Sequence, residues 1–294
     1  TGKIELFGEK FHCWKKKGHG VMNMRSAIKR SCDVYFYEVA KKLGVDRLSK
    51  TAKKFGLGKK VLNGFSEERS GVVPSTSWKK KFIGQNWYIG ETLHSGIGQG
   101  YFQSTPLQLC LMTAQIANGG FEIKPRIIFD KNNNNLKNYL TFKNENPNEP
   151  LPEELLLSNF NLNPLFKNQE NINFIKEAMF ASSNEPGGTS YRSRLEDQRY
   201  TFAGKTGSSQ VKKFTEEQRE AEIKQEDIDY KSRDHALFIA FAPVKDPKYA
   251  ISVVVEHGGS GSSSAAPVAK KVIKKVLERH SLRDSINNIS GESI

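Results

Sequence analysis

The stretch Ala203-Gly204-Lys205-Thr206-Gly207-Ser208-Ser209-Gln210-Val211 puts an ammonium, two hydroxyls and a glycine at four consecutive positions. Two chemistries fit Gly-Lys-Thr. A phosphate-binding loop needs a glycine five residues before Gly204; that position is Arg199, in a charged segment, which excludes it. Read as a strand, alternation sends Lys205 and Gly207 to one face and Thr206 and Ser208 to the other. One fixed charge with two hydroxyl donors is a receptor for a carboxylate, and the glycine lets a ligand backbone come close. A plain exposed edge strand fits the same residues, so a second motif has to decide.

Cys13, His19 and Cys32 are the other group with chemistry. Thiolates and imidazole are preferred zinc ligands, and these three converge if the loop 13–20 folds back onto a helix start at Cys32. A Cys13–Cys32 disulfide and a simply buried Cys32 are the rival readings. His12, next to Cys13, is a weaker candidate ligand. The remaining cysteine, Cys110, sits in the apolar run Leu107–Met112 and reads as core.

These residues need elements to carry them. Residues 1–20 read as loop. Apolar residues from Met24 onward recur at helical spacing, predicting two helices with a break near Ser31, the second over 33–43 and ending at Gly44. A short helix over 46–55 follows, then mostly irregular chain over 57–100. Thr105 and Pro106 open a further helix that ends at Gly119-Gly120. Residues 130–170 read as a solvated insertion, 171–182 as a helix, and 185–188 as a turn. Three strands are predicted: one over 200–211 carrying Lys205, then 236–241 and 249–255, the last two joined as an antiparallel hairpin. A glycine-serine turn over 258–264, a helix over 266–277 and a flexible tail over 281–294 close the chain.

The chain has 294 residues, with 37% hydrophobic and 26% charged, enough for a large core. No run of apolar residues approaches the ~20 needed to span a bilayer. The net charge of +13 is high. No basic stripe interleaved with aromatics accompanies it, so nucleic acid is not an expected partner. Abundant Lys, Asn and Ile point to gene base composition as the source of the charge. Residue 1 is Thr, and the chain opens within a loop, so it reads as part of a longer protein.

The second motif is Ser31-Cys32-Asp33, followed by Val34-Tyr35-Phe36-Tyr37. With Lys205-Thr206-Gly207-Ser208, it resembles the penicillin-binding transpeptidases, whose motifs are S-x-x-K, S-D-N and K-T-G; the elongation-type class B enzymes are the best fit. Gly18-His19-Gly20, Glu67-Glu68-Arg69-Ser70-Gly71, Gly96-Ile97-Gly98-Gln99-Gly100-Tyr101 and Thr105-Pro106-Leu107-Gln108 agree in the family's order, covering about residues 10–280.

The resemblance implies an α/β sandwich of α+β type: an antiparallel sheet flanked by helices, N-terminally truncated, with only its last three strands in the chain. It implies a peptidoglycan D,D-transpeptidase that cross-links stem peptides through a serine acyl-enzyme and is trapped by β-lactams. Ser31 would relay protons at the leaving nitrogen and Lys205 would share that network. Asp33 would position substrate or hold the polar network. Thr206 and Ser208 would bind the substrate carboxylate, the Ser208 N–H would serve the oxyanion, and Gly207 would keep the strand clear.

The family nucleophile belongs to a Ser-x-x-Lys upstream of the second motif. Ser26-Ala27-Ile28-Lys29 and Ser77-Trp78-Lys79-Lys80 match the pattern at the wrong places, so the chain is expected to lack its nucleophile and to be inactive alone. Some relatives hold a structural zinc beside the second motif; here Cys13, His19 and Cys32 would serve, with a fourth ligand expected just before Thr1. No cofactor is expected for catalysis. The resemblance also implies the periplasmic face of a bacterial inner membrane, an N-terminal anchor outside the chain, and a lipid-II polymerase of the shape/elongation machinery as partner. A β-lactam sensor or β-lactamase relative, and a non-enzymatic basic binding protein, are the alternative functions.

Overall fold

The computed structural model describes residues 1–62, 65–127, 145–146, 164–212, 215, 218, 223 and 225–290, with side chains described up to 282 at the C-terminal end. Most of the expected insertion over 130–170 lies outside the described residues.

At the centre is an antiparallel sheet in the order β3–β4–β5, made of Ala203–Ser209, His235–Ala242 and Tyr249–Val255. Lys205 lies opposite Ile239, and Ile239 opposite Ser252. Strand β3 is therefore an edge, as the sequence predicts for the strand that carries Lys205. Alternation along β4 builds two cores. Ala236, Phe238, Ala240 and Ala242 face Ala266, Ala269, Ile273 and Leu277 of the last helix. Phe241 and Ala203 face Ile116, Ala117 and Met179 from two helices on the other side. Each fully buried phenylalanine contributes roughly 2–3 kcal/mol of apolar transfer. Three alanines among the four residues on this face of β4, Ala236, Ala240 and Ala242, let the last helix approach closely.

The helices are α1 (Met24–Arg30), α2 (Asp33–Leu43), α3 (Val45–Lys54), α4 (Thr76–Phe82), α5 (Ile89–Gly96), α6 (Pro106–Ala117), α7 (Glu170–Asn184) and α8 (Ala266–Ser290). The break at Ser31 and the stop at Gly44 stand where periodicity places them. Helix α6 opens with a capping box between Thr105 and Gln108. The Gln108 amide is fully buried and donates to Lys59 O (2.7 Å) and Ser70 O (2.8 Å). One side chain thus caps α6 and pins the preceding irregular segment.

Three expectations need correction. Residues 1–20 are not all loop: β1 (Lys3–Leu6) and β2 (Glu9–His12) form a hairpin, so five strands are described rather than three. Its tip is Phe7-Gly8, both at positive φ (50° and 79°), as a two-residue primed turn requires. Residues 57–100 contain α4 and α5, and α4 is hidden by an unusual core residue. Lys79 is 1% exposed, ion-paired to Glu91, with its ammonium 4.6 Å from the Tyr88 ring centre. A lysine in a core position breaks the apolar periodicity that announces a helix. Helix α8 runs to Ser290, past the tail expected from 281.

Candidate active site and a cysteine–histidine cluster

Helix α1 ends because Ser31 turns left-handed (φ 53°), while the Cys32 N–H reaches back to Ala27 O (2.9 Å). That conformation costs a non-glycine residue about 1–2 kcal/mol, and the surroundings hold it. The Trp14 indole N–H donates to Ser31 O (2.8 Å) and Arg30 O (3.3 Å), and the Trp14 backbone N–H donates to Asp33 Oδ2 (2.9 Å). Trp14 is 64% exposed, so hydrogen bonding rather than burial gives it its place. Replacing Trp14 with phenylalanine is expected to lower Tm by about 2–4 °C, the loss of roughly one hydrogen bond in a chain of this size. An unchanged melting curve would show that the indole N–H does not hold the turn.

Across the cleft, the Lys205 ammonium donates to Ser31 Oγ (2.8 Å) and to Thr206 O (2.9 Å). This contact joins residues 174 positions apart. Burial pushes Lys205 down from 10.5 to about 8, against the pull of the Asp33 charge. Burial raises the Asp33 carboxyl, offset by the Trp14 N–H, the Cys13 thiol and Lys205. The Asp33 carboxylate faces the cysteine loop, where its Oδ2 accepts from the Trp14 N–H.

Helix α1 is tied to the end of α7 by Glu185, which pairs with Arg25 and with Lys29 (2.8 Å) and is drawn down to about 2 by those hydrogen bonds. The Lys29 ammonium is thus committed to Glu185, leaving Ser26-x-x-Lys29 without the pairing a nucleophile motif needs.

Thr206 Oγ1 donates to Thr189 Oγ1 (2.9 Å), and Thr189 Oγ1 lies 3.2 Å from Ser182 Oγ. Ser208 is exposed, with its hydroxyl 3.5 Å from Gly259 O. A side chain at Gly204 would strike Phe238 at 2.4 Å, so packing demands that glycine. At Gly207 a Cβ would meet only Leu237, at an ordinary 3.5 Å. The protein's own packing does not require Gly207, which leaves ligand approach as its physical reason.

Cys13, His19 and Cys32 do converge: their ligand atoms lie within 4.8 Å of one another. Both cysteines are buried free thiols, so the disulfide is not formed. Cys13 Sγ is 3.5 Å from His19 Nδ1, and His19 Nε2 is buried with no hydrogen-bond partner. Burial, then Lys15 and Arg30, lower the His19 pKa and favour the neutral imidazole that a metal needs. Burial pushes the Cys13 thiol up to about 11. Two soft sulfurs and one imidazole with an orphaned ring nitrogen, three donors in all, fit a zinc ion.

Sequence reasoning missed Trp14, Thr189 and Gln99, the last of which donates its side-chain amide to Ser208 O (2.8 Å). Each acts through backbone or hydroxyl contacts with a distant segment. Their only local signals were adjacency to Cys13, the turn over 185–188, and the Gly98-Gln99-Gly100 phrase.

A family profile described as the penicillin binding protein transpeptidase domain matches residues 3–274. The peptidoglycan D,D-transpeptidase MrdA of Haemophilus influenzae is 35% identical over 273 residues, covering 92% of this chain and 39% of that protein. A structure titled as a complex between penicillin-binding protein PBP2 and MreC from Helicobacter pylori superposes with a TM-score of 0.74 at 33% identity, over 94% of this chain and 44% of that one. The crystal structure of Pseudomonas aeruginosa PBP2 in complex with WCK 5153 gives 0.72 at 35%, over 94% and 54%. The chain spans about two fifths of the length of the curated relatives it matches.

Proposed function

The chain belongs to the penicillin-binding protein transpeptidase family, and from that premise we propose that it supplies two of the three catalytic motifs of a peptidoglycan D,D-transpeptidase. The observation that carries this reading is the 2.8 Å contact between Lys205 Nζ and Ser31 Oγ. Ser31 Oγ accepts from Lys205, which leaves its own O–H free to donate outward. A serine outside residues 1–294 attacks the penultimate D-alanine carbonyl and forms the acyl ester. As the C–N bond breaks, the Ser31 hydroxyl protonates the leaving nitrogen and takes a proton from the Lys205 ammonium; the proton released by the attacking serine returns to Lys205, so the step is proton-neutral. Thr206 and Ser208 receive the terminal carboxylate of the donor stem peptide. The Ser208 N–H stabilises the oxyanion. A β-lactam enters as the donor and stays on the serine.

Cys13, His19 and Cys32 hold a structural zinc in this reading, tying the end of β2 to the start of α2; catalysis itself uses no cofactor. The enzyme works at the periplasmic face of the inner membrane through an anchor outside residues 1–294, beside a shape/elongation lipid-II polymerase. The pairing of the Helicobacter pylori relative with MreC supports placement in such machinery. Among the described residues no helix is long and apolar enough to cross a membrane.

The test is covalent capture. The whole protein mixed with a fluorescent penicillin should retain label after denaturation, and Ser31→Ala should slow labelling about 10²–10⁴-fold. Absence of label on the whole protein rejects the reading. Label that appears and is lost within seconds would instead support a β-lactamase relative.

A further inference from the structure

Among the described residues, strand β3 has one edge paired to β4 and no strand on its other, free edge. Successive peptide groups alternate between the two edges. The Gly204 N–H donates to Ser183 Oγ at 3.0 Å, on the side away from β4. Even-numbered residues therefore present N–H and C=O to the free edge, and Thr206, Ser208 and Gln210 follow. An edge of this kind takes an extended peptide as an added strand.

At Ser208 the edge is already occupied. The Gln99 side-chain amide donates to Ser208 O (2.8 Å) and accepts from the Gln210 N–H (3.4 Å). A carbonyl at one residue and an N–H two residues on is the pair that a single residue of a parallel strand would engage. Gln99 thus imitates one peptide group of an added strand, beside the residues that receive the donor's carboxylate.

Its backbone suits displacement. Gln99 follows the end of α5, and its N–H donates to His94 O (2.9 Å). Gly98 and Gly100 flank it, both at φ 74°, and a side chain at Gly98 would meet nothing within 4 Å. That backbone bond anchors Gln99 between two glycines; there is open space beside Gly98, while a side chain at Gly100 would meet His94 Cβ at 3.4 Å.

We propose that Gln99 is a displaceable cap on the free edge of β3 and sets selectivity by competing for Ser208 O. This rests on the transpeptidase reading. A donor with an amide N–H beside its reacting carbonyl, as in a peptide or an acylamino penicillin, must displace Gln99 to reach Ser208 O. A β-lactam without that N–H reacts with the cap in place.

The experiment compares acylation rates of the whole protein with benzylpenicillin and with a carbapenem, which carries a hydroxyethyl group in place of the acylamino group. Gln99→Ala is expected to speed benzylpenicillin about five- to tenfold, the equivalent of one competing hydrogen bond, and to leave the carbapenem rate unchanged. Gln99→Glu, which turns the donor toward Ser208 O into an acceptor, should do the same. It also serves if the alanine variant melts below the wild type. Equal change with both drugs, no change, or slower benzylpenicillin acylation would overturn the cap. If the wild type reacts with neither drug, the transpeptidase reading falls and the cap with it; if it reacts with both and only the selectivity fails, the cap alone falls.

Discussion

Replacing Lys205 with methionine is expected to cut β-lactam acylation of the whole protein about 10²–10⁴-fold and to change how stability depends on pH. The first effect follows from position. Lys205 Nζ is the donor to Ser31 Oγ, and methionine of similar length keeps the packing but neither the charge nor the donor. The second follows from burial. A depression from 10.5 to about 8 means the unfolded chain binds this proton more tightly than the folded one. Between pH 8 and 10.5 the unfolded state carries more protons, so stability rises with pH across that window. Below pH 8 the cost of a buried ammonium is present in full, roughly 3 kcal/mol for a shift of this size. What methionine does to packing is independent of pH, so the difference is clean. The stability of the wild type relative to Lys205→Met should grow by roughly 3 kcal/mol from pH 8 to 10.5. Wild-type acylation should fall as pH rises through about 8, as the ammonium is lost. Parallel stability curves across pH, or an acylation rate that climbs through pH 8, would show that the charged lysine does not have this role.

The parts of the site legible in the sequence were those fixed by local rules. Lys205, Thr206, Gly207 and Ser208 follow from strand alternation, and the break at Ser31 follows from helical periodicity on both sides of it. Their meeting is long-range, and only the order of several short phrases along the chain announced it. Trp14 could not be read. Its function depends on a left-handed Ser31 whose carbonyl needs a donor, and nothing about tryptophan beside a cysteine encodes that need. Thr189 and Gln99 were hidden for the same reason: hydroxyl and amide side chains are common, and their partners lie 17 and 109 residues away.

The fold shows the same division. Strands β4 and β5 and helix α6 carry strong period and cap signals, and their expected bounds hold within a residue or two at most ends. The hairpin β1–β2 has four residues per strand and a phenylalanine at positive φ in its turn, a position where asparagine or glycine is the usual signal. Its stability comes from outside: Phe11 packs against Tyr37 and Leu93 of α2 and α5. Helix α4 hides because Lys79 is its buried residue, made tolerable by Glu91 and by the rings around the ammonium. Periodicity reads polarity, and a paired, stacked lysine is polar in sequence while acting as core in space.

Exchanging Cys32 for serine is expected to strip zinc from the whole protein and loosen the turn that holds Ser31. Cys32 is the N-cap of α2, yet it makes no side-chain capping bond. Serine is the better cap, so on helix grounds alone the exchange would stabilise. A thiol kept there, buried 5% exposed among Cys13, His19 and Ala27, needs another reason. Zinc supplies one: sulfur binds it far better than a hydroxyl does. Metal affinity should drop at least about 100-fold, beyond the cost of losing an outer-shell partner. The loop from Cys13 to His19 then loses its tether, and with it Trp14 and the bonds to Ser31 and Asp33. Zinc content should fall well below one ion per chain, Tm should drop, and acylation should slow. Cys110→Ser is the control: its Sγ contacts Ala250 O at 3.5 Å, and it is not one of the three converging ligands. That variant should keep its metal. Equal zinc in wild type and Cys32→Ser would reject the site. A melting temperature that rises would show that Cys32 is only a poor cap.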